Sequence, residues 1–328
     1  MKRDNYFDNY KGILIILVVV AHFIGPFRND SHFMKFLETS IYLFHMPAFA
    51  FICGYFSIKN DLLSLVKSIF VPYVVLQIVY HILLNYVWGR EINFRLLLPK
   101  YSLWFLLSLF CWRILIEKII QIKWMTPISF VTGILVGFDT SIGEFAAIGR
   151  TIAFLPFFIL GYKFKKDKFL DFTKKYSVKI CSAISLLLIF GLVFLKAEHI
   201  NFSILTMKNS YLKIGEMDLG WIYRIITYFL ATLMIYLIAI FIPREKRWYT
   251  YLGQRTMSIY LLHGIIYKSI QYLTDIYDRI ETRLDMALMV IFSVALTFLL
   301  STKPFHFMIE KLSDIPVEKM LISKDENG

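Results

Sequence analysis

His22 sits inside the first apolar segment of the chain, and Lys11 lies eleven residues before it. An imidazole within a hydrocarbon layer is costly and is usually retained for function. At about 100° per residue, that spacing brings the two side chains to within roughly 20° of one helix face, about 16 Å apart along the axis. One face then carries a cation at its start and a titratable ring deep inside. A neutral imidazole serves acyl transfer to a hydroxyl in two ways: as a base that takes the proton, or as a nucleophile that briefly holds the acyl group. A lysine at the mouth attracts phosphate. Its alternative role is that of an interfacial anchor. Asp8, three residues earlier, is placed to pair with it.

Other residues extend the chemistry. His45 and His263 fall in later apolar segments, the latter near Ser258 and Tyr260. The competing role for each is a hydrogen bond between helices. His81 is read as structural, and His32, His199 and His306 lie at loops or segment ends. Arg150 opens the sixth apolar segment, where a guanidinium binds an acceptor, steadies a developing oxyanion, or meets a lipid headgroup. Trp104, in Leu103-Trp104-Phe105, can stack on a sugar ring or anchor at the interface. Cys53, Cys111 and Cys181 lack metal-ligand spacing and read as small buried hydrophobes, so no metal is expected.

These side chains need a scaffold, and composition says which kind. Of 328 residues 58% are hydrophobic, and 31 Phe and 20 Tyr supply rings suited to lipid and interfacial contact. That apolar excess points to a membrane protein rather than a soluble domain. Segments long enough to cross a bilayer recur at 11–28, 36–57, 69–88, 102–120, 124–139, 146–164, 177–196, 219–242, 253–274 and 285–303. The expectation is an all-α polytopic membrane protein of about ten helices. It forms one integral-membrane domain over 1–328, with the last span ending near 303 and a short cytoplasmic tail at 304–328. The 124–139 segment is short and the weakest of the ten. The start, Met1-Lys2-Arg3 before an apolar run, has no small-residue cleavage site after it, so retention as an anchor is expected.

The net charge of +12 suggests nucleic acid at first sight, but no segment carries a nucleic-acid-binding pattern. The basic residues gather in alternate loops instead. One set includes Lys2, Lys59, Lys67, the run from Lys163 to Lys179, Arg244 to Arg255, and Lys303, Lys311, Lys319 and Lys324. The opposite set, with Arg28, Lys35, Arg90 and Arg95, holds about half as many. The positive-inside rule then places both termini in the cytoplasm and favours an even number of spans. The longest outer connection, about 197–220, is long enough to cover or line a site.

The ordered set of motifs resembles the acyltransferase family 3 membrane proteins, and most closely the branch resembling fucose 4-O-acetylases. It comprises Asp8-Asn9-Tyr10-Lys11-Gly12 followed by His22; Phe44-His45-Met46-Pro47 through Gly54-Tyr55; Lys67 then Pro72-Tyr73; Leu103-Trp104-Phe105-Leu106; Arg150 through Gly161-Tyr162; and Leu252-Gly253 through Ser258-Ile259-Tyr260 to His263. The resemblance implies a ten-helix enzyme moving acetyl from acetyl-CoA, its donor, to a carbohydrate hydroxyl. It implies His22 and His45 as catalytic candidates, and Lys11 and Lys67 as contacts to the donor's phosphates. Arg150, Trp104 and His263 become acceptor contacts.

The chain departs from the family at Lys11, where arginine is common. It departs again before Pro72, where an arginine pair is replaced by Lys59 and Lys67 alone. Both changes weaken bidentate phosphate binding. The expected partners are a carbohydrate acceptor and the bilayer, in a bacterial plasma membrane, with no nucleic acid. The sequence does not fix the oligomeric state. A glycan or glycolipid transporter or flippase is the rival reading, because membrane histidines and lysines also mark transport paths. A non-catalytic scaffold is the third.

Overall fold

A computed structural model describes residues 3–57, 61–141 and 145–315. Lys2, Lys59, Lys319 and Lys324, used in the orientation argument, and positions 316–328 of the expected tail lie outside the described residues. The described residues form helices and connecting segments, with no β-strand among them. In chain order the main helices are α1 (Asn5–Ile24), α2 (His32–Tyr55), α3 (Leu62–Val87), α4 (Trp104–Ile119), α5 (Met125–Leu135), α6 (Ile148–Tyr162), α7 (Tyr176–Lys196), α8 (Gly220–Phe241), α9 (Thr256–Leu273), α10 (Arg283–Leu300) and α11 (Lys303–Ser313).

Among the described residues, seven helices are long and apolar enough to cross a membrane: α1, α2, α3, α6, α7, α8 and α10, some with their flanking turns. The other three expected spans also coincide with helices. α4 and α5 are shorter, at 16 and 11 residues, and α9 carries a polar stripe. α3 begins at Leu62, earlier than the apolar run indicates, because a wide-turn π-helical stretch at Val66–Phe70 carries Lys67 into the same rod. Part of the charged tail forms a helix of its own, α11. The lipid-facing side is explicit on α7, where Leu187 is 73% and Leu195 71% exposed. Apolar surface on that scale belongs against hydrocarbon.

α1 is the central helix. Its second half is apolar apart from His22, and most of the helix is buried, packed against α2, α9, α10 and the short helix Thr250–Gln254. Asp4 caps it by accepting the Tyr6 N–H. Polar side chains on its first half then tie it to the end of α8 and beyond. Tyr6 and Tyr10 hydroxyls donate to the Ala239 and Ile235 carbonyls, and the Asn9 amide donates to Pro243 and Glu245 at 2.8 Å each. Thr250 Oγ1 donates to Asn9 Oδ1. Gly253 permits this crossing, since a Cβ there would fall on the Asp8 carbonyl. The position of Lys11 and His22 is thus set by a helix anchored at its start.

α2 and α6 meet backbone to backbone. A Cβ on Gly54 would strike the Phe158 carbonyl, and one on Gly161 would strike the Phe51 carbonyl. This reciprocal small-residue contact gives close packing in a lipid setting, where apolar burial gives helices little reason to associate. It also fixes His45 on α2 relative to Arg150 on α6.

Candidate functional site

A cavity of about 270 Å³ opens at the far end of α1 from Lys11. α1 contributes His22; α2 contributes Tyr42 and His45; α4 contributes Trp104; α6 contributes Arg150. From α9 come Tyr260, His263, Gly264, Tyr267 and Lys268, at the i, i+3, i+4, i+7, i+8 positions of one helix face. Leu205, Thr206 and Lys208 of the 197–220 connection close part of the wall, so that loop does line the chamber. Five of the seven sequence candidates, His22, His45, His263, Arg150 and Trp104, therefore meet in one place.

The three imidazoles differ in how they are held. His45 Nδ1 lies 2.7 Å from the Ile41 carbonyl, and His263 Nδ1 lies 3.0 Å from the Ile259 carbonyl. A carbonyl only accepts, so each Nδ1 carries the proton and each neutral ring presents its lone pair at Nε2. His263 Nε2 is buried and has no hydrogen-bond partner among the described residues. His22 is partly exposed to the cavity. Its ring centroid lies 5.2 Å from that of His263, 6.0 Å from Tyr267 and 6.5 Å from Tyr42. Tyr42 in turn lies 4.8 Å from His45. Among the described residues no group of histidine, cysteine and acidic side chains converges to hold a metal ion.

Arg150 sits over Trp104, its guanidinium carbon 4.3 Å from the ring centroid. The two sequence candidates thus form one unit, a cation presented on an aromatic face. The Tyr260 hydroxyl is tied to the Ser102 carbonyl, which holds that ring in place.

Lys11 occupies a second, smaller cavity of about 130 Å³ with Cys53, Phe49, Leu109 and Thr256. Its ammonium pairs with Asp8 Oδ1 at 2.8 Å, the pairing expected from their spacing. Met46 and Tyr260 line both cavities, so these two side chains form the partition between the Lys11 side and the His22 side. Lys67 is half-buried and lines neither cavity.

Sequence reasoning missed several neighbours. A crevice on the other side of His22, shared with Tyr42 and Tyr267, contains Arg28, Glu38 and Gln271. Glu38 is nearly fully buried, and Arg28 Nη1 sits 3.5 Å from its carboxylate. The signal was an acid inside an apolar segment, seven residues before His45, where two helical turns return to the same face. Tyr267 and Lys268 were legible as the continuation of the Tyr260–His263 face.

The model for the acyltransferase 3 family, described as an acyltransferase domain, matches residues 4–302. Nodulation protein NolL of Sinorhizobium fredii (strain NBRC 101917 / NGR234) is 48% identical over 56 residues, 16% of this chain and 15% of the relative. Nodulation protein NolL of Mesorhizobium japonicum (strain LMG 29417 / CECT 9101 / MAFF 303099) is 43% identical over 58 residues, 17% of this chain and 16% of the relative. These matches span about a sixth of each relative's length. No solved structure matches the chain. The chain belongs to the acyltransferase 3 family, and its apolar helices are those of a multi-pass membrane protein.

Proposed function

We propose that the protein is a membrane O-acetyltransferase that moves acetyl from acetyl-CoA to a hydroxyl of a cell-surface polysaccharide or of its lipid-linked precursor. It crosses a bacterial plasma membrane ten times with both termini in the cytoplasm, so Lys11 faces the donor side. The observation that carries the reading is the pair of cavities along α1. One holds Lys11, the other holds His22 among two further imidazoles, and they abut at Met46 and Tyr260.

In this reading Lys11, held by Asp8, attracts the donor's phosphates, with Lys67 as a second cation on the same side. The donor's pantetheine arm extends along α1 toward the partition. His22 takes the acceptor hydroxyl proton as that oxygen attacks the thioester carbonyl, and returns it to the departing thiolate. In the other route the His22 nitrogen attacks the thioester carbonyl and the C–S bond breaks to release CoA thiolate; the hydroxyl then attacks the acetyl-imidazole, the N–acyl bond breaks, and the hydroxyl proton passes to the freed imidazole. His45 presents an Nε2 lone pair in the same chamber and is the next candidate for either role. Arg150 steadies the oxyanion, while Trp104, against which it packs, and His263 of the same chamber contact the acceptor.

The test is chemical. Purified protein is given labelled acetyl-CoA and candidate glycans, and the surface glycan of cells with and without the gene is compared by mass spectrometry. Label in the glycan and one acetyl per repeat are the expected results. Loss of the whole polymer without any change in acetylation would replace this reading with transport.

A further inference from the structure

The face of α9 that begins with Tyr260 and His263 ends in Lys268, and nothing in the reaction just described uses that lysine. Its ammonium sits among tyrosine faces, 4.6 Å from the Tyr267 centroid, 4.8 Å from Tyr101 and 5.7 Å from Tyr272. Its hydrogen-bond partners are Gln271 Oε1 at 2.6 Å and the Tyr267 hydroxyl at 3.5 Å. Both are neutral, and among the described residues no carboxylate pairs with it. Tyr101 reaches this cluster from a backbone at φ 49°, a left-handed conformation that costs a bulky residue strain. Its hydroxyl meets that of Tyr272 at 3.3 Å.

Aromatic faces stabilise a cation without neutralising it. A lysine on an apolar helix needs a counter-charge or a route to water. A lysine that merely snorkels points along lipid toward the interface. Lys268 points into the chamber instead, beside Tyr267, whose ring lies 6.0 Å from His22. Arg150 and Lys208 line the same chamber, and among the described residues no acidic side chain does. A cleft lined by one sign of charge concentrates ligands of the other.

We infer that the acceptor carries an anionic group, a carboxylate or a phosphate ester, close to the hydroxyl that is acylated, and that Lys268 receives it. This rests on the acyl-transfer reading and adds the acceptor's chemical class. His22 acts on the hydroxyl, and Lys268, one tyrosine ring away, fixes the orientation by its charge. A charge-assisted hydrogen bond of this kind is worth about tenfold to a hundredfold in binding.

The test uses the surface glycan of cells lacking the gene, native and in two neutralised forms. One has its carboxylates reduced to hydroxymethyl groups by carbodiimide and borohydride; the other has its phosphate esters cleaved by cold hydrofluoric acid. Acetyl transfer by the full-length protein is measured on each. One neutralised form should show kcat/KM lower by about tenfold or more, mainly through KM, and that form names the anion. Lys268→Gln should lose most of this preference for the native glycan, and Lys268→Arg should keep it. A second readout needs no variant: the KM for the native glycan should rise with sodium chloride while that for the neutralised glycan stays flat. Equal turnover of all three glycans, or a preference undiminished in Lys268→Gln, overturns the inference and leaves acyl transfer standing. No acetylation of any form brings down both.

Discussion

The rings of His22 and His263 face one another across α1 and α9, with centroids 5.2 Å apart and planes inclined by 36°. His263 Nδ1–H is committed to the Ile259 carbonyl, and its buried Nε2 has no partner among the described residues. Its Nε2 lone pair is the remaining acceptor of a ring that lines the chamber. Replacing it by Phe should lower acetyl transfer by about tenfold to a hundredfold, the worth of one polar contact to a reacting or charged group. His263→Gln, which restores a polar end, should recover part of that loss, with both variants keeping wild-type thermal stability. Equal rates for His263→Phe and wild type would reduce the ring to packing.

The partition between the two cavities gives a second expectation. Met46 is unbranched and flexible, a side chain suited to a movable divider. Met46→Trp should slow transfer from acetyl-CoA by at least about tenfold by overfilling the passage, at a stability cost of about 1–3 kcal/mol. Steady-state rates and a thermal melt on the same sample separate the two effects. A full rate with the bulkier side chain would mean that the acyl group takes another path.

Cys53 reports on the Lys11 cavity that it shares. In a Cys111→Ser, Cys181→Ser background, a maleimide should label Cys53, and CoA should slow the labelling. Lys11→Ala should remove most of that protection, while Lys11→Arg should preserve it because the cation remains. Protection unchanged in Lys11→Ala would place the donor's phosphates elsewhere, with Lys67 the next residue to test.

The scaffold makes its own demand. Gly161→Val puts a branched Cβ where the Phe51 carbonyl lies, so α2 and α6 must separate. The expected result is a drop in detergent melting temperature equivalent to about 1–3 kcal/mol, with activity lost alongside, since His45 and Arg150 ride on these two helices. An unchanged melt would show that the contact is not what sets their spacing.

How much of this was legible beforehand depends on whether the information lay within one helix or between helices. Lys11 and His22 share α1, so their spacing alone predicted a cation and an imidazole on one side. The structure adds that they line successive cavities rather than one. The weak 124–139 segment does form a helix, α5, because its apolar run suffices for eleven helical residues despite Gly133. Arg150 and Trp104 were each flagged alone. Their contact lies between α4 and α6, and no one-dimensional pattern encodes it. For His263 the sequence leans toward a structural role, because Ser258 and Tyr260 are near enough to satisfy it. In the structure their side chains bond to the Arg255, Leu300 and Ser102 carbonyls instead, which leaves the imidazole to the chamber. Lys67 was selected by analogy of charge, and its place on α3 lines neither cavity. The Arg28–Glu38 pair was missed because the two residues belong to different elements joined only by folding.

The central claim is that His22 completes the transfer of an acetyl group arriving from the Lys11 side. The direct measurement places the protein in sealed vesicles, with labelled acetyl-CoA on the face that carries Lys11 and acceptor glycan on the other. Wild type should move label into the glycan. His22→Ala, inserted at the same level, should fall by at least about 10²-fold, the usual contribution of a positioned base. Label transfer at the wild-type rate in His22→Ala would contradict it.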